Sequence, residues 1–235
     1  MMEEPILHYY TEYGFDESIV QEIVLGEVFS AVKLKNGNIG VCANMSNEMS
    51  LNIVDLRTPN LNNVCQRVVL NAYYNALLNT APNYDTCGDI FDCVNFSKDK
   101  KIVMIGCFTP LVAKFENKGI HLDIFDLNER PEMNILPIEK QQDYLSKADI
   151  VIQTATTIAN QTFTNIVNSV SKNCSIYLLG PSSILNDDMF EYPQIKAIFG
   201  SVFNKHDDNL LQQIKSGDGA RKFLPLARKV SIIKK

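Results

Sequence analysis

From residue 97 onward, short apolar runs rich in Val, Ile and Leu alternate with amphipathic segments. The order is KIVMIG, a helix from Leu111, HLDIFDL, a helix from Glu139, DIVIQTA, a helix from Asn160, SIYLLG, IKAIFGSV, a helix from Asp207, and KVSII. Near-continuous apolar runs are what strands buried on both faces need, and alternation with helices is the pattern of a parallel sheet covered on both sides. Residues 97–235 are therefore predicted to form a Rossmann-like, mostly parallel α/β domain.

The first half reads differently. Asp16 is positioned to cap a helix whose apolar face is Ile19, Val20, Ile23 and Val24, stopped by Gly26. A hairpin of VFSAVKL and NIGVCA follows, turning across Lys35, Asn36, Gly37 and Asn38, where Asn and Gly tolerate positive φ. Its register places Phe29, Ala31 and Lys33 on one face. After the short apolar stretch LNIVDL, Pro59 and Asn60 break the chain, and a helix is predicted from Leu61 to Leu78 with Val64, Val68, Ala72 and Leu77 near helical spacing. Residues 79–100 mix turn residues with one amphipathic piece, Ile90 to Phe96. The pattern is a small α+β domain over residues 1–96, with the boundary near Ser97.

Composition narrows the partners. With 46% hydrophobic and 21% charged residues the chain has the material for a core. The formal charge of −5 offers no overall basic field for nucleic acid or anionic lipid. The longest apolar runs fall far below the ~20 residues that cross a bilayer. The start, MMEEPILHYYTEYG, is acidic and broken by Pro5, unlike a signal peptide. The six cysteines (Cys42, Cys65, Cys87, Cys93, Cys107, Cys174) lie far apart. Reduced thiols in a cytoplasmic protein are thus the expectation. Asparagine occurs 23 times, so a single Asn carries little weight.

In sheets of this kind, ligands bind beyond the carboxyl ends of the strands. Three strand-end loops are rich in small and hydroxylated residues: Gly106, Cys107, Phe108, Thr109 and Pro110; Thr154, Ala155, Thr156, Thr157 and on to Asn160; Gly180, Pro181, Ser182 and Ser183. Each loop alone reads first as ordinary caps and turns. Together they point to a polar or anionic ligand held by hydroxyls and helix-start amides. Asp126 lies 20 residues after Gly106, where dinucleotide folds place the acid that accepts ribose hydroxyls. GCFTP has one glycine and lacks GxGxxG, which disfavours NAD and FAD. A nucleoside or S-adenosylmethionine-like cofactor stays open. Cys107 sits at a helix start that would lower its pKa. Arg221 in SGDGAR can clamp a carboxylate or phosphate, or simply be a solvated side chain after a helix ended by Gly217. Cys87 and Cys93, spaced C-x5-C, and the scattered His8, His121 and His206 give no zinc signature.

At these loops the sequence resembles bacterial and archaeal proteins named for a putative heavy-metal chelation domain. IGCFTPLV is similar to the family's IGYFPPLV, ADIVIQTATTIANQTF to ADVVIITGTTLVNGTL, and LLGPSSIL to LVGPSTPL. MFEYPQIKAIFGSVF with GDGAR, SAVKLKNGNIGV and NAYYNALL extend the likeness over residues 15–233. Departures are Cys107 for Tyr, Thr109 for Pro, Ala155 for Gly, and Ile184 and Leu185 in the last motif. The resemblance implies an N-terminal domain like that of enolase, a Rossmann-like C-terminal domain, and a site in the cleft between them. Lys33 or Asn75 would reach that site from the N-terminal unit. The resulting expectation is a ligand-binding protein that holds a small polar ligand or a metal ion through Asp126, Thr156, Thr157, Asn160, Ser182 and Ser183. These hard oxygen donors suit hydrated or anionic species better than a soft metal. An enzyme using an adenosyl cofactor is the second reading, and a cleft serving only partner or subunit contacts, as in a homo-oligomer, is the third.

Overall fold

The computed structural model describes residues 3–45, 49–80, 84, 89–128 and 130–235. Their strands are β1 (Val20–Leu25), β2 (Phe29–Leu34), β3 (Ile39–Ala43), β4 (Ile102–Ile105), β5 (Asp123–Phe125), β6 (Ile150–Thr154), β7 (Ser175–Leu179), β8 (Ile195–Val202) and β9 (Arg228–Ile233). The helices are α1 (Pro5–Tyr13), α2 (Val64–Leu78), α3 (Ile90–Cys93), α4 (Thr109–Asn117), α5 (Gln141–Leu145), α6 (Thr156–Ala159), α7 (Phe163–Ser169), α8 (Asp208–Lys215) and α9 (Ala220–Phe223). None is long and apolar enough to cross a membrane.

The expected α/β class is present, as a small three-stranded antiparallel sheet and a separate six-stranded sheet. The larger sheet runs β5-β4-β6-β7-β8-β9, with β9 antiparallel to β8 and every other pair parallel. By order of appearance its parallel strands run 2-1-3-4-5, the flavodoxin-type doubly wound order. Helix α4 packs with Ile102, Met104 and Ile124 on one face, while α5, α6 and α7 pack with Val103, Ile105, Val151 and Ile176 on the other.

The helix expected after Asp16 is not formed. Asp16 caps only one turn of 3-10 helix, Glu17–Ile19, and the chain then runs as strand β1. Val20, Ile23 and Val24 are β-branched, and the neighbouring hairpin offers β1 an antiparallel partner, Ile23 opposite Val32. Because both faces of this strand are partly covered, its apolar residues fall on consecutive positions and imitate a helical face. The first helix lies earlier, where Pro5 opens α1 and Glu4 caps it by accepting from the Leu7 amide at 3.1 Å. The stretch LNIVDL carries a second 3-10 turn, Ile53–Arg57.

The hairpin forms as expected, with Gly37 at φ +89° in its turn. Helix α2 starts three residues later than predicted, because Asn63 caps it by accepting from the Gln66 amide at 3.1 Å. Strand β2 is buried along its whole length. Helix α2 covers one face of the hairpin sheet, and α8 with α9 covers the other, where Leu210, Leu211, Ile214 and Phe223 pack on Val24, Phe29, Ala31 and Val41. Each fully buried Leu or Ile in that contact contributes about 1.5–3 kcal/mol. The last quarter of the chain is therefore needed to finish the core of the first. One consequence concerns Lys33, which follows Ala31 on this face and is 4% exposed; its ammonium bonds Asp208 at 2.6 Å, at the start of α8.

Candidate functional site

From β4 the chain passes to β5 on one side of the sheet, then crosses back to β6 on the other. The switch point thus lies between the loops that follow β4 and β6, where doubly wound sheets open a crevice. Gly106 stands there at φ +87°, and a Cβ on it would come within 2.8 Å of Thr154 Cγ2. Only glycine combines this left-handed conformation with so close an approach. The Thr154 and Thr156 hydroxyls are 3.0 Å apart, and both side chains are partly exposed. Among the described residues the amides of Phe108 and Thr109, at the start of α4, have no acceptor, and no side chain caps this helix. Two amide donors are therefore left without a partner, next to two hydroxyls that bond each other and keep further capacity to donate or accept.

Asp126 lies beside this crevice with both oxygens already accepting hydrogen bonds from the protein's own loops. Its Oδ2 accepts from the Cys107 amide at 2.7 Å, its Oδ1 from the Asn128 amide at 2.8 Å and from that side-chain amide at 3.3 Å, and Arg130 stands 3.9 Å away. The 20-residue spacing from Gly106 thus reflects a carboxylate that clamps the first loop to the end of β5. Cys107 is buried, and burial pushes its thiol up despite the opposing charge of Arg130. The lowered pKa expected from its place before α4 is not found, because desolvation outweighs the amides.

The loop after β7 is built in the opposite way. Ser182 and Ser183 are buried, and Ser183 Oγ donates to the Phe199 carbonyl at 2.9 Å while Ser182 Oγ accepts from the Ala43 amide at 3.0 Å. A polar stripe on α2 takes up the loop's carbonyls. Asn71 donates to Ser182 O at 2.9 Å, Asn75 to Pro181 O at 2.9 Å and Ser183 O at 3.0 Å, and Asn79 to Ser183 O at 2.9 Å. Asn79 also accepts from the Leu185 amide at 2.7 Å. One turn before Asn71, buried Arg67 donates to the carbonyls of Ile158 and Ala159 at the end of α6 and pairs with Glu4. Positions 67, 71 and 75 of α2 and Asn79 at its C-cap repeat every four residues along a helix that is otherwise largely apolar. That repeat was the available signal, masked by the abundance of asparagine.

The remaining residues divide between these two regions. Thr157 is buried, its hydroxyl donating to Thr154 O at 2.7 Å and accepting from the Gln153 amide at 2.8 Å. Asn160 accepts from the Thr162 amide at 3.1 Å and hydroxyl at 2.7 Å, closing the turn into α7. Gly180, at φ +123°, and Pro181 are partly exposed beside the sealed serines. Lys33 does not reach the strand ends, because its ammonium is taken by Asp208. Arg221 is exposed on α9, and Gly217, at φ +80°, follows the end of α8. His121 stands before β5 and pairs with Asp123 at 3.0 Å.

Cys42, Cys65, Cys107 and Cys174 are free thiols, whereas Cys93 is disulfide-bonded, so the expectation of reduced thiols throughout is not met. Cys87 lies outside the described residues. Among the described residues no three His, Cys, Asp or Glu side chains come together to hold a metal ion. Near the crevice the candidate donors are one buried thiol and one carboxylate whose oxygens already accept backbone amides. This set does not fit a chelated heavy metal.

The strand order and the crevice at its switch point define a doubly wound α/β protein. The chain belongs to the DUF364 family, described as "Putative heavy-metal chelation", whose model matches residues 89–233. Two solved structures of that family, both of unknown function, share its fold. One, from Desulfitobacterium hafniense, is 21% identical with a TM-score of 0.74, each chain being covered over 100%. The other, from Pyrococcus horikoshii, is 18% identical with a TM-score of 0.76 and covers 92% of this chain and 93% of its own. No curated protein matches the chain.

Proposed function

We propose that the protein binds a small, oxygen-bearing polar or anionic ligand in the crevice between the loops that follow β4 and β6. The observation that carries this reading is the pair of amides at Phe108 and Thr109, without an acceptor among the described residues, in the loop at a switch point that also holds the Thr154 and Thr156 hydroxyls. Amides at a helix start favour the anionic end of such a ligand. Hydroxyls can donate or accept, so they suit a polyol or phosphate equally. Asp126 serves the site indirectly, holding Cys107 and hence the bend of the first loop.

The family's description names heavy-metal chelation, and the residues described here offer no chelating set for it. In this reading the ligand is an organic or inorganic oxyanion rather than a bare soft metal ion. No particular observation favours an adenosyl cofactor. The test is native mass spectrometry and elemental analysis of the purified protein, followed by thermal shift with phosphate, sugar phosphates and nucleosides. A ligand bound only by the folded state raises stability by RT ln(1 + [L]/Kd). An upward shift abolished by Thr154→Val with Thr156→Val supports the site. A stoichiometric heavy metal that survives those substitutions would refute it.

A further inference from the structure

The loop that carries Thr156 is anchored at its far end by residues much earlier in the chain. Helix α6 is a single turn without a side-chain cap, too short to hold its own shape. Its last carbonyls are taken by Arg67 of α2, which is 2% exposed. Arg67 Nε donates to Ala159 O at 2.9 Å and Nη2 donates to Ile158 O. The same guanidinium pairs with both oxygens of Glu4, the residue that caps α1.

Gln161 follows the C-cap of α6 at φ +66°, in the left-handed place usually given to glycine. Its Nε2 donates to Leu61 O at 2.8 Å, a carbonyl that Arg67 Nη1 also reaches at 3.4 Å. Glycine would close the helix without strain but could not make this bond. Strain of this kind persists only where the surroundings hold it, and it collects at functional segments. The end of α6 is thus fixed by three hydrogen bonds from two side chains, while its start presents Thr156 to the crevice, the hydroxyl 3.0 Å from that of Thr154.

Given a ligand in the crevice as proposed above, we propose that Arg67 and Gln161 are positioning residues for it. By fixing the last turn of α6 they set where the Thr156 hydroxyl stands, so that α1 and α2 govern affinity without touching the ligand. A loop held in place beforehand loses less entropy on binding. The guanidinium fork suits this task because it holds two carbonyls in one fixed geometry, which an ammonium cannot do.

Isothermal titration of the full chain with inorganic phosphate tests this. Arg67→Lys, which keeps the charge but not the fork, should weaken phosphate about tenfold and Gln161→Gly about threefold, the range of coupling through residues that do not touch a ligand. Gln161→Gly should do so with the melting temperature kept, because glycine suits the left-handed backbone. Arg67→Lys combined with Thr156→Val should bind no more weakly than Thr156→Val alone, since Arg67 acts through that hydroxyl. Wild-type affinity in either single variant, or losses that add fully in the combined one, would overturn the positioning role and leave the crevice in place. No saturable phosphate binding by the wild-type chain would instead contradict the crevice as an anion site and remove the role with it.

Discussion

The loops after β6 and β7 carry similar residues, Thr-Ala-Thr-Thr and Gly-Pro-Ser-Ser, at equivalent places on neighbouring strands, yet they meet different fates. Ser182 and Ser183 are sealed beneath α2, their loop's carbonyls taken by three asparagines. Thr154 and Thr156 stay partly exposed beside amides that nothing else binds. The difference lies in the neighbouring helix, since α2 lays its polar stripe over the β7 loop and the end of α6. Hydroxyls at a strand end therefore stay open to a ligand only where no other part of the fold has covered them.

The largest expected effect tests the seal at Arg67. Arg67→Met removes a buried guanidinium from two carbonyls and from Glu4, and should destabilise by about 3–5 kcal/mol, read from denaturant midpoints. Asn75→Leu removes the two hydrogen bonds to the Pro181 and Ser183 carbonyls, the latter keeping Asn79, which should cost about 1–3 kcal/mol. A similar cost, about 1–3 kcal/mol, is expected for Gly106→Ala, from its left-handed backbone and the contact with Thr154. Adjacent threonines give the sharpest contrast. Thr157→Val should destabilise by about 1–3 kcal/mol by stranding Gln153, whereas Thr156→Val should stay within about 0.5 kcal/mol in melting experiments and act on ligand binding instead.

Thiol chemistry sharpens the same comparison with a smaller signal. Burial pushes Cys42, in the sealed region, up to about 12, and Cys107, by the crevice, up by a lesser extent of desolvation. A raised thiol pKa means that the reactive thiolate appears only as pH rises. Alkylation at pH 8 should therefore be slow at both sites. Cys107 should respond first as pH is raised, and Cys42 should react only on unfolding. Equal labelling of the two in the native protein would contradict the sealed description.

Much of the sheet was legible because its strands are apolar runs that end in Gly or Thr, and their alternation with helices fixed the class. Residues 16–26 misled because β1 is covered on both faces, which erases the period-two pattern. The strand-end loops could be located from sequence, but not sorted into open and sealed. That sorting depends on Asn71, Asn75 and Asn79, which lie over one hundred residues from Ser182 and Ser183 in the chain. Lys33 likewise reads as a free cation until α8 brings Asp208 over it.

Amide hydrogen exchange of the unliganded protein measures this division most directly. The Ser183 amide, bonded to the Gly180 carbonyl, and the Leu185 amide, bonded to Asn79, lie under α2. They should exchange only through global unfolding. The Phe108 and Thr109 amides should exchange orders of magnitude faster, and slow when a ligand fills the crevice. Comparable protection at all four amides without ligand would show that the crevice is closed by the protein itself and would contradict the account.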